Sequence, residues 1–373
     1  MKVALISTVH DPYDVRIFHK AAKTLSEAGH SVFLLSAKIN CEARVGSITL
    51  IPIRRRESKI ARILFSTLDV LSSKKILNYD VYHFFDPELI FAGFFLRMLG
   101  KKVVLEVMEN IKGMVESRKW IGKGHVRILL AELTWFFDRA FFRCFSSIIV
   151  ARPDLIKAYS KTKCVLINNY PDFNSFINIP VAGGEVYKKN KPVVLYSGGL
   201  TEIRGIYKLI EAMEILNGAV ELWLVGPWLE KDIEERCRKM KGFSDVRYLG
   251  NFPYGEHYRF FPSADIGIVP FLPARNHYTT MPNKPFEYMA FRIPVLMSNF
   301  HYWKVIFAET SDFFNPLDPY SIAESITLVL KNRERYRKRA EIAYEKVSAE
   351  MNWDKEKIKL IDLYKSFDVF QNK

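Results

Sequence analysis

Short apolar runs alternate with amphipathic stretches along the first half of the chain. Lys2–Ser7 (KVALIS) has the continuous apolar character of a buried strand. Over residues 16–28, Ile17, Phe18, Ala21, Ala22, Leu25 and Ala28 recur at helical spacing, and Gly29 stops the run. Further strands are predicted at Ser31–Ser36, 47–53, 81–85, Lys102–Val107 and 147–151, with a helix over 60–71. The pattern restarts after residues 180–191 (PVAGGEVYKKNK), whose Gly, Pro and Lys suit a linker. Strands follow at 192–196, 220–225, 246–249, 264–269 and 293–297, with helices near 205–216, 230–240, 254–262 and 283–291 and a helical end from about 319.

Strands alternating with helices imply βαβ units and mostly parallel sheets. The expected architecture is therefore α/β: two Rossmann-like domains facing across a cleft, with C-terminal helices closing the structure. The boundaries are 1–180, 181–350, and a last helix at 351–373 packing back toward the N-terminal domain. Ligands in open α/β sheets bind beyond the carboxyl ends of the strands. That directs attention to the loops at 8–16, 84–88, 107–113, 197–205, 225–229, 249–254 and 271–287.

Composition narrows the classes. With 49% hydrophobic and 26% charged residues in 373, the chain is a folded protein, not a disordered one. The sequence shows no uncharged apolar run of the roughly 18 residues that a membrane span needs, and MKVALISTVHD lacks the form of a signal peptide. The expected location is the cytoplasm. Cys41, Cys144, Cys164 and Cys237 stand far apart, which argues against zinc and disulfide scaffolds. The net charge of +14 is uneven: residues 1–180 hold 27 Lys+Arg against 16 Asp+Glu, and residues 181–373 hold 28 against 25. An anionic membrane face, a phosphorylated substrate and nucleic acid all suit such a surplus, but no nucleic-acid motif accompanies it, so nucleic acid is not an expected partner. The basic turn Arg54-Arg55-Arg56 with Lys59 and Arg62, and the apolar, Arg-bearing segment 126–145, are the candidate membrane-facing parts. An ordinary packed helix is the competing account of 126–145.

Two segments suit an anion. In YSGGLTEIRGI a strand ends, Gly198 and Gly199 turn the chain, and Arg204 opens a helix, so a forked cation meets backbone N–H groups. In TTMPNKPFEYMAFRIP a helix start carries Lys284, and Glu287 in the first turn is placed to accept hydrogen bonds from a ribose diol or simply to face the helix dipole. In the first half, His10, Asp14 and Arg16 line the loop after the first strand. Asp14 is a candidate helix cap, Asp86 before Pro87 a candidate helix start, and His10 a candidate cleft residue.

Taken together, YSGGLTEIRGIYKLIEAM, LVGP, VRYLGNFPYGEHYRFFPSADIGIVPF and PNKPFEYMAFRIPV resemble the donor domain of family 4 retaining glycosyltransferases of GT-B fold. HDPYDVRIFHKAAKTLSEAGHSV, YDVYHFFDPELI, KKVVLEVMEN and VLINNYPD are similar to that family's acceptor domain, in the branch serving bacterial surface polysaccharides. The resemblance runs in order from residue 1 to about 365. It implies a nucleotide-sugar donor as co-substrate and a lipid-linked or saccharide acceptor, at the inner face of the plasma membrane, with no further cofactor. By position it assigns the donor diphosphate to Arg204 and Lys284, ribose to Glu287, and the nucleoside surroundings to Gly226, Tyr248 and Leu249 within Tyr248–Gly250. Where the family has a glutamate, an arginine and a histidine, this chain has Thr279, Gly199 and Met108; Glu109 follows Met108 as the remaining acid of that segment and, with His10 and Arg204, completes the catalytic candidates.

The residues left fit a metal-independent reaction. No D-x-D motif stands at a strand end, and no placed carboxylate pair suggests a double displacement. Catalysis would come from positioning and from stabilising the departing diphosphate, whose oxygen takes the acceptor's proton. A sugar-nucleotide-binding partner subunit without turnover, and a nucleotide-sugar epimerase, are the alternatives that the three replaced positions leave open.

Overall fold

The computed structural model describes residues 1–73, 76–108, 124–125, 128–133, 142–159, 164–173, 190–274, 277–278 and 280–368. The chain forms two compact units, Met1–Asn169 with Trp353–Lys373, and Tyr170–Asn352. The division falls at Asn169/Tyr170 rather than at residue 180. Tyr170 lies edge-on to Phe286 and Phe173 packs on Tyr344, so this stretch already belongs to the second core. Residues 180–189 of the expected linker, and most of 126–145, lie outside the described residues.

The first unit is built on an eight-stranded sheet. Its strands are β1 (Lys2–Ser7), β2 (Ser31–Ser36), β3 (Ala43–Val45), β4 (Ile48–Pro52), β5 (Val81–Phe84), β6 (Lys102–Val107), β7 (Ser147–Val150) and β8 (Cys164–Leu166). The order is β3-β4-β2-β1-β5-β6-β7-β8, parallel except for β3 against β4. Alternate residues of β1 serve opposite faces, as the two-residue strand period requires. Ala4 and Ile6 enter the core under α1 (Lys59–Leu71) and α2 (Ile90–Met98). Val3 and Leu5 enter the core on the other face, with Ile17 and Phe18 and with Trp353, Leu360 and Tyr364 of the C-terminal helix Trp353–Asp368.

That second face also buries charge. Arg16 Nε donates to Glu106 Oε1 at 2.6 Å, and His83 bridges Glu106 and the Tyr364 hydroxyl at 3.3 and 2.9 Å. Burial pushes the Glu106 carboxyl up, but the Arg16 cation and His83 outweigh it and hold it below its ordinary value. The stretch expected as an ordinary helix over 16–28 is a π-helix over Val15–Ala22 followed by an α-turn, Lys23–Glu27. Asp14 caps its start, accepting from the Arg16 and Ile17 amides. Arg16 and Lys20, four residues apart on it, both reach carbonyls of residues 167–169.

The second unit holds β9 (Val193–Ser197), β10 (Glu221–Val225), β11 (Val246–Gly250), β12 (Ile266–Val269), β13 (Val295–Ser298) and β14 (Ser311–Phe314), all parallel, in the order β11-β10-β9-β12-β13-β14. Every residue of β9, β12 and β13 is buried, which is why these strands read as unbroken apolar runs. The order reverses between β9 and β12 here, and between β1 and β5 in the first unit. Such reversals open a crevice at the carboxyl ends of the strands. The stretch near 254–262 is a 3₁₀ helix, Glu256–Ser263, with Pro262 inside it, not an α-helix. The short strands β3, β8 and β14 and the helix His301–Phe307 were not predicted from the sequence.

Candidate functional site

The crevice between β9 and β12 of the second unit is lined by three tied loops. Gly198 N donates to the Val225 carbonyl at 2.7 Å, Leu200 N to Pro227 at 2.8 Å, and Gly226 N to Gly250 at 2.8 Å. Gly226 has φ +133°, and a Cβ there would sit on the Gly198 carbonyl, so glycine is required for the loops to meet. Gly205, at φ +79°, caps α3 (Ile206–Leu216), and a Cβ there would strike the Pro270 carbonyl. This brings the loop after β9 directly against the loop after β12.

Two cations converge on that junction. Arg204 Nη1 donates to the Gly199 carbonyl at 3.1 Å, and the Tyr196 hydroxyl donates to the same oxygen at 3.0 Å. Lys284 starts α4 (Lys284–Ala290), and its Nζ lies 5.4 Å from the Tyr196 ring centroid and 5.6 Å from that of Phe271. The Arg204 guanidinium lies 5.9 Å from the same Phe271 centroid, so one ring supports both cations. A Cβ on Gly198 would touch the Lys284 ammonium, and one on Gly199 would touch the Arg204 guanidinium and Leu229. Burial, then the Arg204 charge, pull the Lys284 pKa from its ordinary 10.5 down to about 8, against the attraction of Glu287. Such a pair can attract an anion, with one permanent and one titrating charge.

Glu287 stands one turn along α4 from Lys284 and is half-buried. Its field also reaches His257, Tyr258 and Tyr288. Tyr288 donates no bond into the crevice; its hydroxyl accepts from the Ser197 amide at 3.0 Å and anchors α4 to β9. On the far side, Trp228 and Tyr248 pack with ring centroids 5.4 Å apart, and the Tyr248 hydroxyl donates to the Gly226 carbonyl at 3.0 Å. Leu249 is partly buried beside them.

The structure therefore gathers Gly198, Gly199, Arg204, Gly226, Tyr248, Leu249, Lys284 and Glu287 along the ends of β9, β10, β11 and α4 in one unit. Phe271, Trp228 and His257 join them and were missed. Phe271 was legible, since it follows β12 by two residues at a strand end. Nothing marked His257, which sits on the 3₁₀ helix. At Gly199, where the family has an arginine, the Arg204 guanidinium and Leu229 lie where a Cβ would stand.

His10 belongs to the first unit, in the loop after β1. Its Nδ1 lies 3.7 Å from Asp14 and its Nε2 3.5 Å from Asp86. The hydrogen bond to Asp14 raises its pKa against burial, and the Asp86 charge adds to that. Asp86 caps no helix with its side chain. Its buried carboxylate accepts from Ser7 Oγ at 3.0 Å, Thr8 Oγ1 at 3.1 Å and the Val9 amide at 3.3 Å, which pins the β1 loop. Glu109 and Thr279 lie outside the described residues. Among the described residues no three His, Cys, Asp or Glu side chains are grouped to hold a metal ion.

Residues 191–332 match the family model described as glycosyl transferases group 1. That match lies wholly within the second unit. No curated protein sequence matches the chain. Among solved structures, sucrose-phosphate synthase from Thermosynechococcus elongatus is similar at TM-score 0.76 and 17% identity, covering 100% of both chains. A glycosyltransferase from Rickettsia africae is similar at TM-score 0.73 and 14% identity, covering 98% of each. Anabaena HepE, solved with UDP-glucose, is similar at TM-score 0.69 and 12% identity, covering 98% of this chain and 100% of that one. At these identities the likeness shows the fold, which is GT-B. The family match and the fold together support a glycosyltransferase.

Proposed function

We propose that the protein is a retaining, metal-independent glycosyltransferase that moves a sugar from a nucleotide donor to a lipid-linked or saccharide acceptor in surface-glycan synthesis. The observation that carries the reading is the pair of cations, Arg204 and Lys284, meeting over Phe271 at the β9–β12 crevice of the group 1 domain. The pair takes the diphosphate, and Glu287, one turn further on, takes the ribose hydroxyls. HepE's complex with UDP-glucose supports a nucleotide sugar as donor. In the reaction the sugar C1–O bond to the diphosphate breaks, and a bond from the acceptor oxygen to C1 forms on the same face. The acceptor's proton passes to the departing phosphate oxygen, whose charge Arg204 and Lys284 stabilise without a metal.

A thermal-shift and calorimetric screen of nucleoside diphosphates, followed by transfer assays with their sugars on phospholipid-linked and free saccharide acceptors, tests this. A ligand that binds only the folded state must raise the midpoint. No shift with any nucleotide would refute the reading. Met108 favours a second reading, a binding partner without turnover: where the family has a histidine, this chain has an apolar, partly buried side chain packed against the first unit's core. Nucleotide binding with no turnover on any acceptor would select it.

A further inference from the structure

The outward faces of α1 and α2 carry apolar side chains where a water-facing helix carries charge. On α1 these are Ile60, Ile63, Leu64 and Leu68, spaced as one helical stripe; on α2 they are Phe95 and Met98. All six are between 42% and 70% exposed. The two helices pack side by side on the same face of the first unit's sheet, and their inner positions Val70, Ile90, Ala92 and Leu96 already fill the core beneath. The outward stripes are therefore surplus to folding. Contiguous exposed apolar surface of this kind marks a docking site.

Charge identifies the occupant. The only carboxylate on either helix is Asp69, which is buried and held by both arms of Arg56 at 2.7 Å. Arg54, Arg55 and Lys59 are exposed at the start of α1; Arg55 pairs with Glu57 at the surface, an ion pair that water leaves weak. The stripe positions offer no hydrogen-bonding side chain, whereas a protein interface of this kind carries about one hydrogen bond per 100–200 Å². An apolar stripe bounded by cations matches the layering of an anionic bilayer, with acyl chains below and phosphates above. Arg56 and Arg62, expected to face lipid, are instead committed to Asp69 and Glu88.

We infer that α1 and α2 form an interfacial membrane-docking face, with Ile60, Ile63, Leu64, Leu68, Phe95 and Met98 entering the acyl boundary and Arg54, Arg55 and Lys59 meeting anionic headgroups. The inference rests on this surface alone. Its test uses neither donor nor acceptor, so its failure leaves the sugar-transfer reading standing.

The test is co-sedimentation of the full chain with vesicles of phosphatidylcholine, or of phosphatidylcholine with phosphatidylglycerol, at low and high salt. Wild type should bind the anionic vesicles at low salt and keep a salt-resistant remainder. Leu64→Ser with Leu68→Ser should cut binding about tenfold or more and abolish that remainder, because the apolar contribution is not screened. Arg54→Gln, Arg55→Gln and Lys59→Gln together should remove the salt-sensitive part, about fivefold for each cation. All substituted side chains are exposed, so circular dichroism and the melting midpoint should match wild type. Wild type ignoring anionic vesicles at low salt, or the serine pair binding as tightly as wild type, overturns the inference. So does self-association of wild type, lost in the serine pair, without vesicle binding; that result would assign the face to a second copy of the chain.

Discussion

A pH titration of nucleotide affinity puts the proposed diphosphate site to its most direct test. Lys284 has a pKa of about 8 in the free protein because burial and the Arg204 cation both oppose its charge. A diphosphate reverses that balance and favours the ammonium. Binding above pH 8 must then take up a proton. Below pH 8 the affinity for a nucleoside diphosphate should be flat. Above it, the dissociation constant should rise by about tenfold per pH unit, which is about 1.4 kcal/mol, until the pKa of the complex is reached. At pH 9 only about one Lys284 in ten keeps its proton in the free protein. Calorimetry at pH 8 in two buffers of different ionisation enthalpy should register about half a proton taken up per nucleotide. Lys284→Arg keeps a permanent charge and should abolish the slope. Arg204→Ala removes the neighbouring cation and should move the inflection to higher pH. The bare nucleoside should show no slope. The stability of the free protein runs the other way: the unfolded state binds the Lys284 proton more tightly, so this group's penalty is relieved as pH rises from about 8 toward 10.5. An affinity for the diphosphate that stays level from pH 7 to 9.5 would remove Lys284 from the site.

Four further outcomes are expected. Glu287→Ala should weaken nucleoside and nucleoside diphosphate alike by about 1.5–3 kcal/mol in calorimetry, and an unchanged nucleoside affinity would separate Glu287 from the ribose. Arg204→Ala at pH 7 should instead weaken the diphosphate selectively, because the guanidinium contacts only phosphate. Gly226→Ala, forced to φ +133° and against the Gly198 carbonyl, should cost more than about 1 kcal/mol in chemical denaturation and more than Gly29→Ala, a control at φ +87° with nothing within 4 Å that carries the backbone strain without the clash. Transfer activity should persist in excess chelator, since fixed cations do the work of an ion; loss restored by magnesium would overturn that part of the mechanism.

The sheets were legible because parallel strands buried on both faces leave unbroken apolar runs, and VVLYS or SIIV can be little else. The missed strands are short or half-exposed: β3 is exposed throughout and β8 only partly buried, so neither leaves such a run. The π-helix at Val15–Ala22 was illegible for another reason. Its apolar spacing satisfies an ordinary helix, and the partners of its Arg16 are distant in sequence: Glu106 and the carbonyls of Ile167 and Asn168. Burial of the Arg16 charge against those groups is a tertiary fact, absent from any local window. Asp86 shows both sides of this limit: the residue before proline marked a helix start correctly, since a 3₁₀ turn begins at Pro87, but its carboxylate is held by Ser7, Thr8 and Val9 rather than by the helix, and no local window shows that.

Position-by-position comparison named Arg204 and Lys284 together, and the structure brings both to Phe271. Matched along the chain, Gly199 reads as a lost arginine. In space, a side chain at 199 would have to displace the Arg204 guanidinium, which folds back onto the Gly199 carbonyl, and the end of Leu229. The second charge arrives from α4, about eighty residues later in sequence, through Lys284 against Gly198. Phe271, at the end of β12, is what makes this economical, since one ring face and the Tyr196 ring hold both cations near each other without a carboxylate between them. Two like charges held so close repel, and the depressed pKa of Lys284 is the measure of that repulsion and of its burial. A dianionic diphosphate would relieve both at once. On the proposed reading, the same arrangement that holds two cations together would favour phosphate over a neutral ligand and tie its binding to the protonation of a single lysine.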